Sequence, residues 1–415
     1  MTNHLPFSLS AFDLQTVNAF STQLNSGRKK KIALVVQGGG QKGIFTAGVF
    51  DSFLEAGFDP FELYIGTSAG ALNLSSFISR QSSFGYNFIV NYTTDNEFFN
   101  LYKYLSKQKP MNLDWALDTI SAEGLTPLDI VTARRNLQYR QAFACATRKD
   151  TLQDIYLPMY QQNWQEVLRA TCAIPMLYNQ PVNLQDLEWV DGGVSAAVPV
   201  QEAWKRGADL VVVVRTQPLE NSDDGFGVFD DWREKIETSL PQYIEKLSLN
   251  ESLDKFKSIH NDLTQRFEMW KGGWNDKVVK KEHQRQQEQQ KVISELTEPE
   301  KNNSDSGKWF SSDNIERFLA ITGKGKSSEV IEMLARYYQT CREVDEFLVQ
   351  PPEGLKVIQI APEKNLRSRA LLSEKDDLEV DYREGKLIGR QFVEHFAAAL
   401  NETTRLSEIN GHHEK

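Results

Sequence analysis

The sequence predicts an α/β protein: a mostly parallel central sheet flanked by helices, with a helical insertion. Three observations carry this. The runs Ile32–Val36 and Leu210–Val214 are short, β-branched and apolar throughout, as strands buried on both faces are. Glycine-rich turns occur at Gly38–Gly43 and Gly66–Gly70, directly after strand-like runs. Helical patterns follow both turns, and strand, turn, helix twice over is the rhythm of crossover connections in a parallel sheet.

The elements follow in order. Residues 1–30 are polar and form an N-terminal arm, ending in a basic cluster that includes Arg28, Lys29 and Lys30. The first strand is Ile32–Val36, and the helix after its turn carries Phe45, Val49, Phe50, Phe53 and Leu54 at helical spacing, with Gly57 as a stop. A second strand at Tyr64–Ile65 runs into the second glycine turn and a helix over ALNLSSFISRQ. Ala142–Ala146 reads as a strand, Gln165–Cys172 as a helix, and Leu187–Val190 as a strand leading into Asp191-Gly192-Gly193. Val200–Gly207 is helical and Leu210–Val214 a strand, which completes an α/β core over 31–218.

The character changes over 219–350, which reads as a helical insertion. Residues 219–228 are linker-like; apolar residues recur at helical steps from Leu240 to Trp270; 280–291 is a polar helix and 297–307 a loop. Ser327–Gln350 is a further helix, ended by Pro351–Pro352. A strand at Leu355–Ala361 and a helix at Lys386–Leu400 lie in the segment 351–400 that completes the core, and 401–415 is a polar tail.

Composition narrows the function. The 415 residues are 40% hydrophobic and 25% charged, which suits one large or two modest globular domains. Against 57 acidic residues stand 47 Lys and Arg, a net charge of -10 that argues against nucleic-acid binding. Cys145, Cys172 and Cys341 are far apart, with no C-x-x-C pair, so neither a disulfide framework nor a thiolate zinc site is expected. An odd cysteine count, no secretory signal in MTNHLPFSLS and no spanning apolar run point to a cytoplasmic protein, in transient contact with membrane at most. No metal and no cofactor are expected.

Three motifs carry chemistry. Gly66-Thr67-Ser68-Ala69-Gly70 has the G-x-S-x-G form between a strand and a helix, where a sharp turn lifts a serine hydroxyl above the strand end. The bland alternative is a glycine turn with Ser68 as an N-cap. Gly38-Gly39-Gly40-Gln41-Lys42-Gly43 fits a dinucleotide loop, with Asp59 or Glu62 as the acidic partner, but it lacks the Gly-Lys-Ser/Thr of a Walker loop. It also fits an oxyanion hole, in which glycines turn backbone N–H groups into a cavity. Asp191-Gly192-Gly193 is either an ordinary Asp-Gly turn or the carrier of a general base for Ser68. All three motifs follow strands, and the carboxyl ends of parallel strands face one crevice.

At this point the sequence resembles the patatin-like phospholipase family, which pairs G-G-G-x-[RK]-G, G-x-S-x-G and D-G-[GA]. The three stand here as GGGQKG, GTSAG and DGG, and LRATCAIPMLYNQPV resembles the block before the family's aspartate. DYREGKLIGRQF resembles the C-terminal piece of a bacterial subgroup. The resemblance covers roughly residues 31–218. It implies Ser68 as nucleophile and Asp191 as its base, a dyad without histidine. It further implies an oxyanion hole from Gly38, Gly39, Gly40 and Ala69, and a shaping role for Gly43, Gly66, Gly70, Gly192 and Gly193. Lys42 either pairs with a lipid phosphate or, preferably, orients the loop.

The chain has no histidine between His4 and His260, which agrees with a dyad; a triad through His395 is the alternative. A carboxylate with an ordinary pKa near 4 is a weak base for serine, so burial is expected to raise that of Asp191. The expected activity is lipid acyl hydrolysis on phospholipids or lysophospholipids. Transacylation and small-ester hydrolysis are the enzymatic alternatives, and a non-catalytic acyl-binding regulator docking partners through 219–350 is the alternative of another class. The oligomeric state is left open.

Overall fold

The computed structural model describes residues 31–100, 111–175, 177–178, 180–219 and 327–411. The arm at 1–30, the amphipathic run 240–270, the polar helix 280–291 and the loop 297–307 lie outside them, as does nearly all of the 219–228 linker.

Five strands form the parallel heart of the sheet. In spatial order they are β8 (Lys356–Ile360), β7 (Leu210–Val214), β1 (Ile32–Val36), β2 (Leu63–Thr67) and β3 (Gln141–Arg148). The β-branched residues of β1 and β7 are buried on both faces, as their unbroken apolar runs require. Three antiparallel strands extend the sheet: β4 (Gln153–Pro158), β5 (Val182–Leu184) and β6 (Leu187–Asp191). The architecture is therefore a mostly parallel sheet flanked by helices, as the sequence predicts.

The pairing around β3 places the serine and aspartate motifs. β4 occupies one edge of β3 from Phe143 to Arg148. The other edge is shared: β2 runs along it and ends with Thr67 opposite Cys145, while β6 comes back along it and ends with Asp191 opposite Ala146. The two strands meet end to end in one lane. Against the expectation from the sequence, Asp191 thus does not reach the crevice from a parallel strand; it arrives on an antiparallel strand running toward the tip of β2.

The helices cover the faces. α1 (Gly43–Glu55) follows the first glycine turn and α2 (Ala69–Ile78) the second. Between α2 and β3 lie α3 (Phe84–Asn87), a wider helical turn over Phe88–Thr93, α4 (Leu113–Thr119) and α5 (Ile130–Leu137). α6 (Trp164–Cys172), α7 (Gly193–Ala196) and α8 (Val200–Lys205) complete the N-terminal part.

The C-terminal part adds α9 (Ser327–Val349) before β8 and α10 (Lys375–Gly411) after it. Val344 and Leu348 of α9 enter the same apolar cluster as Val35, Val213 and Val357, and Met333 packs with Val190 and Val194 on either side of the Asp-Gly-Gly turn. α10 begins at Lys375 and runs to Gly411, extending beyond 386–400 at both ends. Gly385 and Gly389 weaken its helical signal, but they serve packing. A β-carbon at Gly385 would stand 2.1 Å from the Phe45 carbonyl oxygen, and one at Gly48 2.2 Å from that of Tyr382, so α1 and α10 cross backbone to backbone. Phe392 seals the crossing against Phe53 and Phe58, with ring centroids 5.8 and 6.0 Å apart.

Candidate active site

Ser68 sits between β2 and α2 with φ 52° and ψ -127°, a conformation that costs a side-chain-bearing residue about 1–3 kcal/mol. The strain is held by close packing. A β-carbon at Gly70 would lie 2.6 Å from the Gln37 carbonyl oxygen, so only glycine lets α2 start this near β1. Ser68 occupies the N-cap position of α2, yet its side chain makes no capping bond. Its Oγ donates instead to Asp191 Oδ2 at 2.7 Å.

Asp191 is nearly sealed, with 6% of its surface exposed against 7% for Ser68. Its second oxygen, Oδ1, accepts the Gly193 N–H at 2.7 Å, so the turn-forming use of the Asp-Gly motif and the bond to serine coexist on one carboxylate. Burial pushes the Asp191 carboxyl up to about 6, against smaller downward pulls from the Ser68 and Gly193 bonds. Thr147 donates to the Asp191 carbonyl at 2.8 Å, and Thr67 to the Ala196 carbonyl at 2.7 Å, tying the strand ends to α7 and its flank.

The backbone donors sort themselves. Among the described residues the amides of Gly39, Gly40 and Ala69 make no hydrogen bond. Gly38 is different: its N–H donates to the Ala197 carbonyl at 3.0 Å, which takes it out of the candidate oxyanion donors and leaves it a shaping role. Lys42, half-buried where the glycine turn meets α1, has a partner within the protein. Asn73 donates from Nδ2 to the Gly43 carbonyl at 2.9 Å and so links the two motif helices.

The glycine loop does not fit the dinucleotide reading. Asp59 precedes β2 and so belongs to the opposite end of the strands from the loop. Its carboxylate accepts from Tyr64 at 2.6 Å and pairs with Arg80 and Arg140. The side chain of His395 lies outside the described residues.

A pocket opens beside Ser68, with about 650 Å³ of empty space that includes its open mouth. Its walls include Leu72, Phe88, Ile89, Met111 and Leu371. Cys172 also lines it, but burial pushes that thiol well above its ordinary pKa, which disarms it as a nucleophile.

Several contributors were not singled out in the sequence. Thr171 accepts the Ser68 N–H on its hydroxyl at 2.8 Å and donates to the Cys145 carbonyl. Gln41 is buried and joins three segments. Its N–H donates to the Ala370 carbonyl at 2.8 Å, its Nε2 to the Thr93 carbonyl at 3.0 Å, and its Oε1 accepts the Ser373 N–H at 2.8 Å. α4, which places Leu113 in the pocket wall, did carry a readable cap: the Asn112 side chain accepts the Trp115 N–H at 3.3 Å.

The patatin-like phospholipase family matches residues 34–204, the stretch that holds all three motifs. The Escherichia coli (strain K12) protein YjjU, described as uncharacterized, is 30% identical over 378 residues, covering 91% of this chain and 81% of that protein. The chain belongs to the patatin-like phospholipase family. Its patatin-like region therefore places it in a family of lipid hydrolases. A domain of unknown function (DUF6363) matches residues 327–401, the span that holds α9, β8 and most of α10. The crystal structure of VipD from Legionella pneumophila superposes with a TM-score of 0.31 at 14% identity, over 52% of this chain and 56% of that one. Among the described residues of this patatin-like protein, no helix is long and apolar enough to cross a membrane.

Proposed function

We propose that the protein is a serine lipid acyl hydrolase that works through a Ser68–Asp191 dyad. One observation carries the reading: a strained serine donates to a buried carboxylate at 2.7 Å, beside an apolar pocket. Asp191, ionised, takes the hydroxyl proton as Ser68 Oγ attacks the ester carbonyl carbon. The carbonyl oxygen becomes an oxyanion facing the N–H groups of Gly39, Gly40 and Ala69. The intermediate collapses, the alkoxide leaves with the proton held by Asp191, and an acyl-Ser68 ester remains. Water then attacks that ester, again giving its proton to Asp191, and the acid departs as Ser68 recovers its proton.

Magnitudes suit the parts. A positioned base contributes about 10²–10⁴-fold and each oxyanion donor about 10²–10³-fold. A carboxyl pushed up to about 6 is a stronger base than an exposed aspartate and is still mostly ionised at neutral pH. The apolar lining favours an acyl chain over a polar substituent.

The test is hydrolysis of a p-nitrophenyl acyl ester by the wild type and by Ser68→Ala at equal folded concentration, with fluorophosphonate labelling in parallel. Hydrolysis and labelling lost together in the variant support the proposal. A wild type that turns over no ester and resists labelling defeats it.

A further inference from the structure

The pocket beside Ser68 is closed by residues from far along the chain. Ala370 and Leu371 stand in its wall next to Gly40 and Gln41. Both belong to the span matched as a domain of unknown function, well beyond the patatin-like match that ends at residue 204.

Hydrogen bonds fix this segment in place. Asp381, buried in α10, accepts the N–H groups of Arg367 and Ser368 at 3.1 and 2.6 Å. Further on, the Ala370 carbonyl accepts from Gln41, and the Ser373 N–H donates to the Gln41 side chain, each at 2.8 Å. Leu371 lies between these ties, 9% exposed, with the backbone on both sides held. Its pocket neighbours include Leu72, Phe84, Phe88 and Ile89, which offer a hydrocarbon chain apolar contact. A pinned aliphatic residue in such a wall cannot yield to a longer chain without disturbing the glycine loop.

We propose that Leu371 is a specificity-determining residue: it touches the acyl chain of the substrate and limits its length. The C-terminal region would then set the acyl preference of a site whose reacting groups lie in the N-terminal part. This inference rests on the acyl-transfer reading above. In an apolar pocket, each methylene that gains or loses its place shifts kcat/KM by about tenfold or more.

The experiment uses the full chain with p-nitrophenyl butyrate and p-nitrophenyl decanoate. The readout is the decanoate-to-butyrate ratio of kcat/KM, which a loss of folded protein leaves unchanged. Leu371→Ala is expected to raise that ratio about tenfold and Leu371→Trp to lower it by about as much, whereas Leu371→Met holds it near the wild-type value. A ratio within about twofold of wild type in the alanine variant, with butyrate still turned over, overturns the proposal. Should the tryptophan variant fail to fold, the alanine and methionine variants decide. If no ester is hydrolysed but a fluorophosphonate labels Ser68, the same ratio is read from labelling rates with butyl and decyl probes. If Ser68 is not labelled either, the acyl-transfer reading itself fails, and this inference falls with it.

Discussion

The backbone N–H of Ser68 donates to the Thr171 hydroxyl at 2.8 Å, and that hydroxyl in turn donates to the Cys145 carbonyl. The Ser68 amide is therefore engaged, which leaves Gly39, Gly40 and Ala69 as the oxyanion donors of the proposed reaction. Thr171 also ties the serine turn to α6 and β3 at once. Thr171→Val keeps the volume but leaves the Ser68 amide unpaired in a buried site, which costs about 1–3 kcal/mol. Denaturant unfolding should show that loss, and kcat on an ester should fall by about tenfold or more as the serine loses its fixed geometry. Unchanged stability and kcat would contradict this role.

With Asp191 as the proposed base, the activity has a pH dependence of definite sign. The base works only when ionised, and burial holds its carboxyl up to about 6. Accordingly kcat/KM should rise with pH, reach half its plateau near pH 6 and stay high through neutrality. Asp191→Asn should lower kcat by about 10²–10⁴-fold at pH 7.5. A profile flat between pH 4.5 and about pH 8 would remove Asp191 from the role of base.

The ionisation that the proposed mechanism asks of this carboxyl opposes stability. Its folded pKa lies above the ordinary 3.8, so the folded state holds this proton more tightly than the unfolded chain does. The stabilisation is complete below about pH 4 and is lost as pH rises through about 6. Asparagine keeps acceptors for Gly193 and Ser68 without a charge to bury. Asp191→Asn should thus match the wild type in stability near pH 4 and exceed it by on the order of 3 kcal/mol near pH 8. Paired denaturant titrations at the two values check this, because every other carboxyl contributes equally to both proteins.

The crossing of α1 and α10 makes a prediction about the C-terminal region. Gly385→Leu sets a side chain against the Phe45 backbone at a crossing with no room for it, which should destabilise the protein by about 3 kcal/mol. A thermal midpoint within a degree or two of wild type would show that the helices separate easily.

What the sequence revealed and what it hid have physical causes. Ile32–Val36 and Leu210–Val214 were legible because a strand buried on both faces must be apolar without interruption. Ser68 and Asp191 were legible because a strained turn and a charge beside a close backbone approach both demand glycines at fixed offsets. Gln41 and Thr171 stand inside quoted segments, yet nothing marked their own side chains, since a buried polar side chain with a partner far along the chain looks like any surface residue. The early start of α10 was obscured by Gly385, whose lost side chain is a packing requirement set by another helix. The antiparallel course of β6 was hidden as well, because strand direction depends on the connection rather than on the residues of the strand.

The end-to-end meeting of β2 and β6 has a consequence for how such a protein can diversify. Thr67 and Asp191 are indexed to Cys145 and Ala146, neighbouring rungs about 3.3 Å apart on a third strand. The approach of Ser68 to Asp191 is thereby gauged by β3, and the end of α6 holds it as well: Thr171 accepts the Ser68 N–H, and the Asp191 N–H donates to the Ala173 carbonyl at 2.9 Å. Changes of length in the connections away from the strand ends and from the end of α6 leave that register as it is. An insertion or deletion within β3 itself would put the two out of step.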